Sequence, residues 1–284
     1  MVISNEYLHM LDDIKNIVNA KSVDKLYKFI SFNQDKDLNN KKIDTFIHNS
    51  LYMSSPLYFN DPYDCELSFN LLEGYEDFLK IGLNREQRRG IKHNKRLREE
   101  ARQETEGLQK ELESEWMSFK KEIAVCCFTE ELDNFLMWSH YANCYNGICL
   151  EYNVEEIKKM KYFLSPIKYT NKLIRARDYI NKEDFKRNSS NRLLKAAIVS
   201  VLSKQSQWEY ENEWRIVNIL NENNSSLIQM PTPKKVYIGF KVDNSIKEKI
   251  IGSCKKLKIE NVYETRISTN EYKLVHNPIE ITIL

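Results

Sequence analysis

The segment WEYENEWRIV, residues 208–217, is the stretch on which the fold prediction chiefly depends. Its side chains alternate with a period of two, which predicts a β-strand with an apolar face and a charged face. The apolar face would carry Trp208, Tyr210, Trp214 and Ile216, and the charged face Glu209, Glu211, Glu213 and Arg215. Three carboxylates on one strand face repel one another, so one of them acquires a raised pKa or a cationic or hydroxyl partner. The strand therefore either belongs to a functional site or lies at an exposed sheet edge with Glu–Arg pairs.

A second informative segment, NFLMWSHYANCYNGICLEY, covers residues 134–152. It predicts a helix over residues 134–141 and a strand over residues 147–152. A histidine beside aromatic side chains, such as His140, is either a packed, hydrogen-bonded residue or a ligand contact. Tyr141 suits a mixed role, because its ring can stack while its hydroxyl stays polar.

The loop YFNDPYD, residues 58–64, mixes aromatic and short polar side chains around Pro62. Asn60 and Asp61 either form an Asx-turn before the proline or help to recognise a nucleotide through its hydroxyl groups and base.

Residues 84–122 form a dense charged block of good helix formers, which predicts a long helix or a helical hairpin. Residues 85–98 hold seven basic side chains and one acidic one, whereas residues 99–115 hold seven acidic and two basic ones. The block is either a solvated face or a contact arm whose basic end touches RNA or another partner.

The remaining pattern mixes strands and helices without strict alternation, which predicts an α+β fold. The expected strands cover residues 25–31, 51–54, 123–128, 235–240 and 261–267, and the expected helices cover residues 5–20, 42–49, 183–206 and 244–257. A chain of 284 residues is then expected to form one domain, 1–284, with 84–122 as a helical insertion.

Composition excludes several classes of protein. Only seven glycines are present and no two lie closer than eight positions, so neither a G-x-G-x-x-G loop nor a P-loop can occur. The six cysteines form no C-x-x-C pair and the five histidines are scattered, so we expect no metal site. The net charge of +2 gives no global attraction to nucleic acids or membranes. Without a signal peptide or a long apolar run, a reduced cytoplasmic protein without membrane contact is expected.

Four blocks of the sequence resemble successive blocks of a widespread bacterial domain of unknown function. They are LYKFISF at 26–32, LYMSSPLYFNDPYDC at 51–65, CFTEELDNFLMWSHYANCYNGICLEY at 127–152 and WEYENEWRI at 208–216. Members of that family are suspected of roles in phage defence or in toxin-like systems, so the resemblance implies such a role here.

The order of a polar residue on the first strand, a central tyrosine block and a late Glu-x-Glu strand resembles the ADP-ribosyltransferase fold. That resemblance implies a mixed or antiparallel split β-sheet that binds NAD as a substrate without a glycine-rich loop. The implied catalytic residues are Glu213 at the nicotinamide-ribose 2′-hydroxyl, Glu211 toward the acceptor, and Arg215. The implied NAD contacts are Tyr27, Lys28, Asn60, Asp61, His140 and Tyr141, with Tyr141 stacking on nicotinamide.

The leading functional hypothesis is therefore an ADP-ribosyltransferase-like enzyme that uses NAD to modify a nucleic acid or a protein. One alternative is a metal-dependent nuclease that combines Asp61 or Asp64 with Glu211, Glu213 and Arg215. Another is a non-enzymatic sensing or interaction module that uses the helical block 85–122 as its contact arm.

Overall fold

A computed structural model describes residues 22–71, 84–160, 162–180, 193–219 and 226–281. The predicted helix over residues 5–20 and the first ten positions of the predicted helix over 183–206 lie outside these ranges.

The described secondary structure combines helices and strands in irregular order. The strands are β1 (Lys25–Ser31), β2 (Ser50–Tyr52), β3 (Leu67–Ser68), β4 (Ile123–Thr129), β5 (Gly147–Asn153), β6 (Leu164–Pro166), β7 (Lys168–Thr170), β8 (Ile174–Arg175), β9 (Ser203–Gln205), β10 (Glu213–Ile219), β11 (Leu227–Gln229), β12 (Lys235–Gly239), β13 (Val262–Ile267) and β14 (Leu274–Pro278). The α-helices are α1 (Lys36–Ile47), α2 (Arg85–His93), α3 (Lys95–Glu122), α4 (Phe135–Tyr141), α5 (Val154–Lys159), α6 (Leu194–Val201) and α7 (Asn244–Lys256). Short 3₁₀-helices cover Pro56–Tyr58, Ala176–Asp178 and Ser206–Glu211.

The contacts divide the chain into two compact units. One, which we call the sheet unit, comprises Met1–Ser54, Ala124–Ile167 and Glu209–Leu284; the other, the helical unit, comprises Ser55–Ile123 and Lys168–Trp208. The charged block 84–122 thus lies in the helical unit together with Lys168–Trp208.

The sheet unit is built on a mixed eight-stranded sheet with the order β14-β13-β12-β5-β1-β4-β10-β6. β12 and β13 are parallel, whereas β5 runs antiparallel to both of its neighbours, β1 and β12. The predicted α+β fold class is confirmed. The pairing within this sheet is uneven: β1 pairs with β5 along all seven of its residues, but its register with β4 is the single pair Tyr27↔Thr129.

One face of the sheet is covered by helices and forms the main apolar core. Leu26 of β1, Leu150 of β5 and Ile216 of β10 pack there in the same buried cluster as Phe46 of α1 and Ile250 of α7. Alternate positions of each strand supply these residues, as the period of two requires. Each such buried side chain contributes roughly 1.5–3 kcal/mol of transfer free energy, so this cluster is the main source of stability in the unit.

The opposite face of the sheet receives α4. Asn134 caps this helix by accepting a hydrogen bond from the Leu136 amide, and Trp138 in the second turn is fully buried. The Trp138 ring packs edge-on against Phe29 with centroids 5.1 Å apart and stacks on Tyr145 at 5.9 Å. These contacts fix the position of α4, and therefore of Tyr141 at its last residue.

The turn between α4 and β5 has an unusual backbone. Asn143, Cys144 and Tyr145 have φ angles of 44°, 54° and 71°, so three successive residues with side chains occupy the left-handed region. Each such residue costs on the order of 1 kcal/mol relative to an ordinary conformation. Gly147 follows after Asn146, and a Cβ atom at Gly147 would lie 2.5 Å from the Ile30 carbonyl oxygen.

The predicted strand over residues 208–217 is wrong in its first half. Ser206–Glu211 form a 3₁₀-helix, Asn212 has a left-handed φ of 42°, and β10 begins only at Glu213. Asparagine adopts the left-handed region more readily than most residues, which allows the sharp change of direction at this point. Glu209 is consequently exposed, and β10 lies between β4 and β6 rather than at a sheet edge.

The helical unit contains the charged block as two contacting helices, α2 and α3, separated by Asn94. The block is thus helical, as its composition predicts, and forms two consecutive helices. Asn84 and Gln87 form a capping box at the start of α2, and Asn94 caps α3 by accepting from the Arg96 and Leu97 amides. Two short parallel strand pairs, β3–β8 and β7–β9, complete the described part of this unit. The predicted helix over 183–206 therefore ends early, because Ser203–Gln205 pair with β7.

The described residues include no helix that combines the length and the apolar character needed to span a bilayer.

Gly239 and Gly252 provide a matched test of the packing of the sheet unit. A Cβ atom at Gly239 would lie 2.2 Å from the Tyr145 carbonyl oxygen, whereas one at Gly252, within α7, meets no atom within 4 Å. We expect Gly239→Ala to lower the free energy of unfolding by about 1–3 kcal/mol or more. Gly252→Ala should raise it by about 1 kcal/mol, because alanine is the better helix former. Urea unfolding followed by circular dichroism measures both, and equal effects of the two substitutions would contradict the close approach at Gly239.

Candidate functional site

The first candidate group lies where the 3₁₀-turn before β10 meets the end of α4. The Tyr141 hydroxyl donates a hydrogen bond to Glu211 Oε1 at 2.6 Å, and the Glu211 residue is only 1% exposed. The Thr129 hydroxyl at the end of β4 donates to the Glu211 main-chain carbonyl. Both the backbone and the side chain of Glu211 are therefore held by neighbouring elements. Tyr141 and Glu211, two residues that the sequence predicted for one site, are brought into direct contact.

Glu213 and Arg215 form a second group one step along β10. They are two positions apart on one strand, so their side chains lie on the same face. Arg215 Nε lies 2.6 Å from Glu213 Oε1, and Arg215 Nη2 lies 3.1 Å from Oε2. Both residues are buried, Arg215 completely. This is a two-pronged, charge-assisted pair in which both carboxylate oxygens accept from the guanidinium.

Cys127 of β4 belongs to the same surroundings. Burial raises the pKa of the Cys127 thiol well above its ordinary value, and the nearby Glu213 carboxylate adds to the increase. The thiol therefore stays protonated near neutral pH, and Arg215 remains the cation opposite Glu213.

Lys28 lies where β1 and β4 separate. Its ammonium donates to the Cys127 carbonyl oxygen at 3.0 Å, so a side chain satisfies a β4 backbone group next to the single-pair register between these strands. Burial acts to lower the pKa of Lys28, but its charged surroundings, which include the Glu213 carboxylate, leave that pKa raised. Lys28 is thus a cation at the place where β1 and β4 pair through only one residue pair.

Tyr27 lies in a different group, centred on Glu151 of β5, which the sequence analysis missed. The Tyr237 hydroxyl donates to Glu151 Oε2 at 3.0 Å, and Lys235 Nζ lies 3.2 Å from Oε1. The pKa values of Tyr27 and Tyr237 are raised, mainly by burial and further by the Glu151 carboxylate. Both phenols therefore remain protonated hydrogen-bond donors. A carboxylate within the otherwise apolar strand GICLEY was the signal in the sequence that could have revealed this group.

His140 is exposed, and its ring lies edge-on to Tyr141 with centroids 6.3 Å apart. It therefore sits beside the Tyr141–Glu211 contact at the end of α4.

Asn60 and Asp61 lie in the helical unit, whereas the groups above lie in the sheet unit. Asp61 Oδ1 accepts a hydrogen bond from the Tyr63 amide at 2.9 Å, which is the Asx-turn geometry, and Asn60 is exposed. Three residues on, the buried Asp64 carboxylate lies 3.7 Å from Lys204 Nζ. The loop thus holds a buried ion pair of its own.

A cavity of about 200 Å³ lies beside this loop in the helical unit. Its walls include Tyr63, Glu66, Ser200 and Lys204. The Lys204 ammonium also lies 4.9 Å from the centroid of the Trp208 ring. The loop at residues 58–64 therefore adjoins a small, partly open cavity with polar and apolar walls.

Among the residues that the structure describes, no group of three or more His, Cys, Asp or Glu side chains could hold a metal ion.

The Glu213–Arg215 pair gives a stability prediction. Arg215→Met leaves a buried carboxylate without its cation and should lower the free energy of unfolding by about 3–5 kcal/mol. The double variant Glu213→Leu/Arg215→Met should be more stable than the single variant, because the carboxylate of the pair is removed together with its guanidinium.

The exposed pair Glu155–Lys158, 2.7 Å apart on α5, is the matched control. Its coupling in the same double-mutant cycle should stay below about 1 kcal/mol. A coupling at Glu213–Arg215 no larger than that of the control, measured by urea unfolding, would show that the buried pair does not form.

Residues 137–216 match the family model described as a protein of unknown function, DUF2971. The matched segment contains Tyr141, Glu151, Glu211, Glu213 and Arg215. No curated protein and no solved structure matches the chain. In this segment the chain is therefore similar to a family whose description gives no activity.

Proposed function

We propose that the sheet unit is the catalytic part of an ADP-ribosyltransferase-like enzyme that uses NAD to modify a nucleic acid or a protein. The observation that carries the proposal is the 2.6 Å hydrogen bond between Tyr141 and Glu211. It joins the aromatic block and the Glu-x-Glu block, 70 residues apart, which the resemblance assigns to one NAD site.

The available side chains suit the parts of such a substrate. Tyr141 and His140 offer aromatic rings for a nicotinamide, and Glu211 offers an acceptor for ribose hydroxyls. Polar and aromatic groups of these kinds are typical of small-molecule sites. Lys28, a predicted NAD contact, packs with Phe128 on the helix-covered face of the sheet and is left out of the proposed site. Asn60 and Asp61 belong to the helical unit and are not part of this proposal.

The chemistry requires a fixed negative charge. NAD supplies a glycosidic bond whose cleavage sends the bonding electron pair to nicotinamide and leaves positive charge on the ribose. A preorganised carboxylate in a buried site stabilises such a charge, because screening by water is weak there. A nucleophile of the acceptor then bonds to the ribose carbon and gives up its proton.

The geometry favours Glu211 over Glu213 for this charge-stabilising role. Both oxygens of Glu213 accept from Arg215, so we assign Glu213 the role of holding the guanidinium in place. Glu211 accepts a hydrogen bond from Tyr141 of the aromatic block, so its carboxylate lies beside the ring proposed for nicotinamide. This moves the role at the ribose from Glu213, where the resemblance places it, to Glu211.

Two further parts of the proposal have separate support. All six cysteines are free thiols, as is usual for proteins of a reducing compartment, which supports a cytoplasmic location. A role in phage defence or in a toxin-like system is supported by the family resemblance alone. The nuclease hypothesis gains no support, since Asp64 and Glu213 are each engaged with a basic side chain.

The test is nicotinamide release from NAD by the purified protein, measured by liquid chromatography with DNA, RNA or protein acceptors present. Glu211→Gln should reduce release on the order of 100-fold, because it removes the charge that stabilises the transition state. Tyr141→Phe should reduce it about tenfold, the effect of losing one hydrogen bond to a charged group.

Glu209→Gln is the matched control, because Glu209 lies on the same 3₁₀-turn but is exposed, and it should leave the rate unchanged. Circular dichroism confirms that each variant is folded. The absence of release by the wild-type protein with every acceptor, or equal losses in the Glu209 and Glu211 variants, would overturn the proposal.

A further inference from the structure

Four basic residues lie along one side of α2. Arg85, Arg88, Arg89 and Lys92 are spaced as i, i+3, i+4 and i+7, and we call this set the basic stripe. Residues at such spacings are neighbours on a helix surface, with Cβ atoms about 5–6 Å apart. The stripe spans seven residue steps, about 10 Å along the helix axis.

The charges of the stripe are not neutralised within the described part of the chain. Arg85, Arg89 and Lys92 are exposed, and none of them forms an ion pair with a described carboxylate; Glu86 is the only acidic residue of α2. The basic residues of α3 differ, since Arg96 and Arg102 pair with the carboxylates four positions on, at 2.8 and 3.4 Å. The basic stripe therefore presents concentrated positive charge to solvent, although the chain as a whole carries only +2.

The chemistry of the stripe selects among anionic partners. No residue of α2 is buried, and the helix offers Ile91 as its only large aliphatic side chain, so it lacks the apolar face with which a helix enters a lipid surface. Residues 85–98 contain no Phe, Tyr or Trp, so the platform that single-stranded nucleic acids use for base stacking is absent there. Closely spaced cations without stacking groups suit the phosphate backbone of a duplex, which has the highest density of negative charge.

We propose that the basic stripe of α2 binds the phosphate backbone of double-stranded DNA without sequence preference. The proposal does not depend on the transferase function, because it concerns a different unit and a binding event that needs no NAD. The acidic run over residues 99–115 of α3 repels phosphates, so the contact is confined to α2 and the first residues of α3.

The test is fluorescence anisotropy of a labelled 20-base-pair DNA duplex titrated with the full-length protein at several salt concentrations. Each cation that contacts a phosphate contributes about −0.9 to the slope of log K against log salt concentration, so four contacts give a slope near −3.6. The variant Arg85→Gln/Arg89→Gln/Lys92→Gln should lose at least tenfold in affinity at low salt, and its slope should become less steep by about 2.7.

A second triple variant, Lys249→Gln/Lys255→Gln/Lys256→Gln, removes the same charge from exposed positions of α7 and is the matched control. Its affinity for the duplex should stay within about twofold of the wild-type affinity. The slope of log K against log salt concentration should change by less than about half a unit. Thermal unfolding by circular dichroism verifies that both variants are folded.

Three results would overturn the proposal: no binding of the duplex by the wild-type protein, equal losses in the two triple variants, or tighter binding of the single strand than of the duplex. Tighter binding to phosphatidylserine vesicles than to DNA would likewise replace it with a membrane-surface role.

Discussion

The hydrogen bond from the Thr129 hydroxyl to the Glu211 carbonyl ties the end of β4 to the turn before β10, and the candidate site depends on it. The same hydroxyl accepts from the Glu131 amide at 3.0 Å. Asn212 continues this junction by donating from its side chain to Glu131 Oε1 at 2.7 Å. Because these bonds set where the chain turns, they decide which carboxylate faces Tyr141 and which joins the strand beside Arg215. Without them the 208–217 segment could run as the continuous strand that its alternation predicts.

Most strands of the sheet could be predicted from the sequence, because a short apolar run is stable only when its side chains are buried, as they are in a sheet. β1 was predicted with the bounds that the structure has, Lys25–Ser31, and the helical block 84–122 was recognised from its composition. The start of β10 was not, since one left-handed asparagine at 212 interrupts a pattern that continues on both sides of it. The contact between Tyr141 and Glu211 was expected only through a resemblance; pairing across 70 residues is set by tertiary packing and leaves no local signal. Glu151 was overlooked because its tyrosine partners come from strands far apart in sequence.

Both units enclose ionic pairs, although their cores differ. The sheet unit buries Glu213 with Arg215, and the helical unit buries Asp64 with Lys204 and pairs Lys120 with Glu66. The free-energy cost of removing two charges from water cancels much of the attraction between them, so these pairs contribute little net stability. Their effect is on geometry: a chain that fails to bring the partners together leaves a buried charge without compensation. In the sheet unit the pair therefore favours the register of β10 in which Glu213 and Arg215 face inward.

The three left-handed residues that follow α4 have a mechanical consequence. Their strained backbone is offset by the stacking of Tyr145 on Trp138 and by the bond from the Tyr145 amide to the Trp138 carbonyl. When that stack separates, the strain is released, so the free-energy cost of detaching the end of α4 is smaller than its contacts alone would indicate. Tyr141 lies on this part of the helix, two residues before the strained turn. A lower cost of detachment at this end of α4 bears directly on the Tyr141–Glu211 contact, because that contact depends on the position of the last residue of the helix.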